Sequence, residues 1–334
     1  MSNSKANNHL IDNFQRRVNY MRVSITDRCN LRCRYCMTGP ANWRPKGQIL
    51  TLEEIQRMVR IAVGLGITKV RLTGGEPLVR KGVVGLVQTL HGIQGLQDIA
   101  LTTNGTLLGK FAQPLKEAGL RRVNISLDTM DAAGFKQITG LDLLDTVWQG
   151  IDKAAEVGFN PIKINCVVMR GTNDDQIERL AGLTREKPFH VRFIEYMPIG
   201  INPNGAQHHF LSLADMRARL ERMAPLIPVA SQNGDGPAQR FRFEQAQGEI
   251  GLIGSMSSHF CNRCNRIRLT ADGHLRPCLL ADDQIDILTP LRQGAGDDEI
   301  AALFGTALAS KKGGHQISFS GNCTLRTQMT RIGG

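Results

Sequence analysis

Between residue 20 and about residue 200, short β-branched runs alternate with amphipathic stretches, which predicts repeated βα units with parallel strands. Six strands are expected, at 22–26, 69–73, 99–103, 122–127, 162–168 and 190–195. Thr51 ahead of Leu52-Glu53-Glu54 reads as a capping box; Ile55, Met58, Val59 and Ala62 share the face that follows, and Gly64 or Gly66 closes the helix. Two later helices are expected to end in the same way, at Gly119 and Gly158. Six units without a seventh and eighth predict an α/β fold of TIM type, an incomplete (β/α)6 barrel open on one side. Chemistry in such a fold gathers at the C-terminal strand ends. There lie Asp27 to Cys36, Thr73-Gly74-Gly75-Glu76-Pro77, Thr102-Thr103-Asn104-Gly105, Ser126-Leu127-Asp128 and Tyr196-Met197-Pro198.

After residue 200 the pattern breaks. Asn202-Pro203-Asn204-Gly205, a short helix near Leu213 to Met223 and the loop Ser231-Gln232-Asn233-Gly234-Asp235-Gly236-Pro237 read as a boundary. Beyond it come strand-like pieces at 241–243, 250–253 and 267–269 and a helix around Asp297 to Ala309. The expected organisation is an N-terminal extension at 1–19, the partial barrel at 20–200, a linker region at 201–240 and a C-terminal region at 241–334.

Hydrophobic residues make up 41% of the 334, no apolar run reaches bilayer-spanning length, and the polar start lacks a signal-peptide core, so a soluble cytoplasmic protein is expected. The formal charge of +11 calls for an anionic partner. Many of the cations stand inside apolar strand patterns, as in Lys69-Val70-Arg71-Leu72 and Lys163-Ile164-Asn165, rather than in a basic tail. Buried cations need anions, which favours a pocket for a small phosphorylated ligand over a flat nucleic-acid surface.

Six of the eight cysteines fall into two tight groups, the usage of a metal-binding protein in a reducing compartment. Cys29, Cys33 and Cys36 are spaced C-x3-C-x2-C directly after the first strand. Three thiolates can hold three irons of a 4Fe-4S cube and leave the fourth open to a ligand. A zinc knuckle would need a fourth ligand, and no His or Cys lies between Cys36 and His91. Cys261, Cys264 and Cys278 supply three more thiols. Taken alone they fit either a second open cluster or a zinc ribbon completed by His259, His274 or Cys323. Arg266 and Arg268, two apart on a predicted strand, share one face as a candidate phosphate clamp. Cys166 reads as a small core residue.

The first cysteine motif, with Tyr35 before its third Cys, resembles the signature of the radical S-adenosylmethionine (radical SAM) superfamily. Together with Gly74-Gly75-Glu76-Pro77, Cys261-x2-Cys264-x13-Cys278 and the terminal Gly333-Gly334, the chain resembles the GTP 3′,8-cyclases of molybdenum cofactor biosynthesis over residues 12 to 334. That resemblance implies two 4Fe-4S clusters and SAM as cofactors. SAM would bind the cluster on Cys29, Cys33 and Cys36, helped by Tyr35, Gly75, Ser126 and Met197. GTP would meet the open iron of the cluster on Cys261, Cys264 and Cys278, with Arg22, Arg71, Thr102, Lys163, Arg266, Ile267 and Arg268 as contacts; Lys69 and Arg192 join them by strand parity. Arg266, Arg268, Gly333 and Gly334 carry the catalytic assignment, the two glycines as an activating tail. The resemblance further implies an electron donor, a homodimer and a pathway link to the synthase that makes cyclic pyranopterin monophosphate, with no stable nucleic-acid or membrane partner. The implied reaction is abstraction of the C3′ hydrogen of GTP by a 5′-deoxyadenosyl radical, then closure of C3′ onto C8. A peptide-modifying radical SAM enzyme with an auxiliary cluster and a zinc-bearing nucleic-acid-binding module are the alternatives. Two departures from the family pattern stand out: Thr38 where Pro is common, and Gln15 where Gly is common.

Overall fold

The computed structural model describes residues 9–37, 43–199, 206–230, 236–317, 319, 325 and 327–333; Thr38, Cys323, Gly334 and the segments 202–205 and 231–235 singled out above lie outside them. Among the described residues one sheet is built from β1 Tyr20–Ser24, β2 Lys69–Thr73, β3 Asp98–Thr103, β4 Arg122–Ser126, β5 Ile162–Val168, β6 His190–Glu195, β7 Ile227–Pro228, β8 Gln239–Arg242, β9 Glu249–Ile253, β10 Arg266–Leu269, β11 His274–Arg276 and β12 Ile285–Asp286. The helices are α1 Leu52–Gly64, α2 Val83–His91, α3 Leu108–Glu117, α4 Ala132–Thr139, α5 Leu144–Glu156, α6 Ile177–Glu186, α7 Leu213–Met223, α8 Leu288–Arg292, α9 Asp297–Ala309 and α10 Met329–Ile332.

The strand order is β12-β11-β10-β1-β2-β3-β4-β5-β6-β9-β8-β7. All six predicted strands are present, the first displaced by two residues. The parallel run is longer than six, because β10 pairs with β1 on one side and β9 with β6 on the other. β9 and β10 are not neighbours in the sheet, so the barrel stays open, and antiparallel strands finish both edges. A four- or five-residue strand distant in sequence from its partner leaves no local βα signature, which is why the pattern gave six.

Strand alternation sorts the residues into two faces. Val23, Leu72, Leu101, Ile125, Ile164 and Val191 are fully or almost fully buried in the main hydrophobic core, where the helices cover them. Truncating one of these, Ile125 for example, to Ala would cost about 2–5 kcal/mol. The opposite parity places Arg22, Arg71, Thr102, Asn165 and Arg192 inside the barrel. The predicted α1 forms with the Thr51 capping box in place, closed by Gly66 at φ 97°. Gly119 and Gly158, at φ 97° and 79°, follow α3 and α5 as expected.

Candidate active site

The parallel pairing of β10 with β1 places the two cysteine groups at opposite mouths of one cavity. Cys29, Cys33 and Cys36 follow the C-terminal end of β1. Cys261 and Cys264 precede β10, whose first residue Arg266 is level with Tyr20 at the start of β1, and Cys278 follows β11, which runs back to the same end. The two mouths are therefore about one strand apart, roughly 13 Å for the four steps from Tyr20 to Ser24. All six cysteines line this cavity of about 290 Å³.

At the first mouth, Cys36 N donates to Cys33 O at 3.0 Å, turning the loop back on itself. Cys29 Sγ accepts from Leu31 N at 3.4 Å and from Asn104 Nδ2 at 3.9 Å. Tyr35 donates its hydroxyl to Asp128 at 2.8 Å, and Tyr35, Gly75, Ser126 and Met197 all line the cavity. A Cβ on Gly75 would stand 2.4 Å from Arg28 O, and one on Gly74 2.5 Å from Thr26 O, so only glycine lets the β2 loop lie against the cysteine loop. Glu76, fully buried, accepts from Leu78 N, Asn104 N and Thr103 Oγ1 and so ties the loops after β2 and β3 together. Burial, followed by the charges of Cys36 and Asp128, holds the Cys33 thiol well above its ordinary value. Such thiols ionise on binding a metal.

At the second mouth, burial works to raise Cys264, but the charges of Arg266 and Lys311 outweigh it and bring the thiol down to about 7. Lys311, 3% exposed, donates to Cys264 Sγ at 3.6 Å, to Arg266 O at 2.9 Å and to Pro277 O at 2.6 Å, joining the arms that carry Cys264 and Cys278. Leu280 N donates to Cys278 Sγ at 3.4 Å. Arg16 reaches from the N-terminal segment to Cys261 O at 2.6 Å and Lys312 O at 2.8 Å while paired with Asp12. Glu195 at the end of β6 accepts from Leu213 N, Met256 N and Ser257 N, holding the loop that leads to Cys261. Three thiols at each mouth, supported by N–H···S donors, are a ligand set suited to an iron-sulfur cube with one open iron.

Between the mouths, five arginines (Arg22, Arg71, Arg192, Arg266, Arg268) and the single carboxylate of Asp128 line the cavity among the described residues. Burial and then a neighbouring guanidinium depress three of the arginines: Arg22, beside Arg268, lies well below its ordinary value, Arg192, beside Arg71, falls to about 9, and Arg268, beside Arg266, to about 10. Arg71 Nε, Thr102 Oγ1, Asn165 Oδ1 and Arg192 Nε are buried without a hydrogen-bond partner. Crowded cations and orphaned polar atoms on one wall fit a polyanionic ligand.

The remaining predicted residues are placed differently. Lys69 stands 3.6 Å from Asp98 and beside the Tyr20 ring, outside the cavity lining, because a carboxylate on β3 faces it. Lys163 is half-buried at the start of β5, level with His190 and also outside the lining. Ile267, between the two arginines, necessarily has the opposite parity and is fully buried in the hydrophobic core. Gly333 does reach the barrel: Arg268 Nη1 donates to its carbonyl at 3.1 Å. An apolar cluster of Ile199, Leu280, Leu325 and Ile332 seats the tail beside Met197 and Cys278. Sequence reasoning passed over Arg16, Asp128, Glu195 and Lys311. Asp128 stood in a strand-end motif already noted, whereas Lys311 and Arg16 act on cysteines far away in sequence and carry no local signal.

Two family models match the chain, "Radical SAM superfamily" over residues 23–184 and "Molybdenum Cofactor Synthesis C" over 189–317. The GTP 3′,8-cyclase of Pelotomaculum thermopropionicum is 50% identical over 325 residues, covering 97% of this chain and 99% of that protein. The GTP 3′,8-cyclase of Moorella thermoacetica is 52% identical over 309 residues, 92% of this chain and 95% of that protein. Among solved structures, Streptococcus suis SuiB bound to its precursor peptide SuiA aligns with TM-score 0.61 at 17% identity, over 90% of this chain and 67% of that one, a likeness of fold. The chain belongs to the GTP 3′,8-cyclase family of the radical SAM superfamily.

Proposed function

We propose that GTP lies along the arginine-lined barrel with its triphosphate on Arg22, Arg71, Arg192 and Arg268, between SAM at the first mouth and the Cys261, Cys264 and Cys278 site at the second. The enzyme is a GTP 3′,8-cyclase that makes 3′,8-cyclo-7,8-dihydro-GTP, the first step of molybdenum cofactor biosynthesis, with SAM and two 4Fe-4S clusters as cofactors. The observation that carries the positional reading is the pair of thiol triads at opposite ends of one cationic cavity. Cys29, Cys33 and Cys36 would hold the first cluster, which with SAM would supply the radical chemistry that removes the C3′ hydrogen of GTP. The chain's own groups position the reactants. The arginine forks pin phosphate oxygens, Thr102 Oγ1 and Asn165 Oδ1 offer further polar contacts, and the enclosing strands keep water from the reacting carbons. Tyr35, hydrogen-bonded to Asp128, walls the SAM side. Gly333 contacts Arg268 and so couples the tail to the triphosphate clamp.

The same reading includes a one-electron donor, a homodimer, delivery of the product to cyclic pyranopterin monophosphate synthase and action in the cytoplasm; family membership and the grouped free thiols support these. The test is anaerobic incubation of the reduced, reconstituted chain with SAM and GTP. 5′-Deoxyadenosine and a cyclised guanosine triphosphate should appear together. Deoxyadenosine formed at the same rate without GTP would count against a substrate held between the two mouths.

A further inference from the structure

Behind the second thiol group lies another hollow, lined by Arg16, Cys261, Cys278, Lys311 and His315, and His315 faces both it and the barrel cavity. One ring nitrogen each of His259 and His315 and the Sγ of Cys261 lie within 4.8 Å of one another. The two rings stand 4.2 Å apart, tilted by 38°. His259 Nε2 is 2.8 Å from Met256 O and His315 Nε2 is 2.9 Å from Ser255 O. A carbonyl only accepts, so each Nε2 carries the proton and each Nδ1 is left with its lone pair. His315 Nδ1 is buried and has no hydrogen-bond partner. The tautomer so fixed leaves each ring one free lone pair, and the two adjacent rings with the Cys261 sulfur offer three donors to a cation.

We propose that His259, Cys261 and His315 form a mononuclear site for a borderline divalent cation, zinc before others, in the chain that has not yet received its second cluster. Two imidazoles and a thiolate, with water in the fourth position, suit zinc and exclude magnesium or calcium. The carbonyls of Ser255 and Met256 fix the ligating tautomer as outer-shell acceptors do. The hollow that His315 borders supplies the entry path. Binding displaces the Cys261 thiol proton to solvent and involves no electron transfer. Resting on the assignment of Cys261 as a cluster ligand, the site has a consequence: zinc and the second cluster compete for one sulfur, while the Cys29, Cys33 and Cys36 site is untouched.

The metal site is tested on the full chain carrying Cys29→Ser, Cys33→Ser and Cys36→Ser, metal-free and anaerobic, titrated with Co²⁺ and then Zn²⁺. One cobalt per chain with a sulfur-to-metal charge-transfer band and tetrahedral d–d bands is expected, displaced by one zinc. His259→Ala and His315→Ala should each weaken binding by about tenfold or more, Cys264→Ser should leave it unchanged, and His315→Gln with an unaltered circular dichroism spectrum separates ligation from folding. Binding lost in Cys264→Ser and indifferent to His315→Ala, or no binding at all, overturns the site. In the wild-type chain, prior zinc should block second-cluster assembly and lower the iron content to about half of the roughly eight expected. Both clusters assembling with zinc still bound would overturn the ligand assignment of Cys261 and not the metal site.

Discussion

Replacing Gly333 with Ala tests whether the tail belongs to the working cavity. Gly333 sits at φ 68°, in the left-handed region, with its carbonyl accepting from Arg268. An added Cβ would lie 2.5 Å from Thr73 Oγ1 and 3.0 Å from Ser24 Cβ, both at the ends of buried strands with little freedom to retreat. The left-handed backbone costs an L-residue roughly 1–2 kcal/mol. Losing a hydrogen bond to a buried guanidinium costs about 1.5–3 kcal/mol more. Together these come to about 2.5–5 kcal/mol, which shifts the ratio of seated to withdrawn tail by about 10²–10⁴. The assay is product formation from GTP and SAM beside iron content. Cyclisation should fall by at least about tenfold, with both clusters retained. A full rate in Gly333→Ala would refute the reasoning, and a parallel loss of iron would show that the tail supports the second cluster instead of the substrate.

Lys311→Met should drive the second cluster's reduction potential more negative and lower its occupancy, leaving the first cluster's electron paramagnetic resonance signal unchanged, because it removes a buried ammonium donating towards Cys264; an unshifted potential would show Lys311 to be a main-chain brace only. Gln15, at φ 60°, should accept Gly and resist Val: Gln15→Gly should melt higher than Gln15→Val, the two differing by at least roughly 1–2 kcal/mol in stability, and equal melting of the two variants would contradict the strain. Glu76 is raised by burial from 4.5 to about 7, so the native state holds its proton more tightly than the unfolded chain does. Its stabilising contribution is complete below pH 4.5 and lost as pH rises towards 7. The melting temperature of the cluster-free chain should therefore decline across that window, and Glu76→Gln should flatten the slope.

The six barrel strands, the α1 cap and the glycine stops were legible because each is a local pattern whose period or cap is written in adjacent residues. The thiol triads and Arg266 with Arg268 were legible for the same reason. The Gln15 departure was visible as a substitution, and the structure gives it a physical meaning as a positive φ at a non-glycine residue. What stayed hidden was long-range. β9 and β10 acquire their parallel partners only in the folded sheet, Lys69 finds Asp98 beside it on the adjacent strand β3, and Arg16 reaches Cys261 across 245 positions. Strand parity correctly put Arg192 inside the barrel and also nominated Lys69, since parity assigns a face and says nothing about which neighbour neutralises the charge.

The register of β10 against β1 decides how the two chemical halves meet. Arg266 is level with Tyr20 and Arg268 with Arg22, so both β10 arginines share the barrel face with Arg22 and Arg71, while Ile267 and Leu269 enter the core. A slip of one residue would reverse this, turning two guanidiniums into the apolar layer and two aliphatic side chains into the barrel. The burial of Ile267 and Leu269, worth about 1.5–3 kcal/mol each, therefore fixes Arg266 and Arg268 on the barrel face. The same register sets Cys264, two residues ahead of Arg266, at the mouth opposite Cys29. Had the second thiol group followed a parallel strand, both groups would share one mouth and leave the arginine-lined interior behind them. Placing it before β10, with antiparallel β11 returning Cys278 to the same end, makes the barrel interior the only space between the two sites, among the described residues, and puts a ligand there under the control of both.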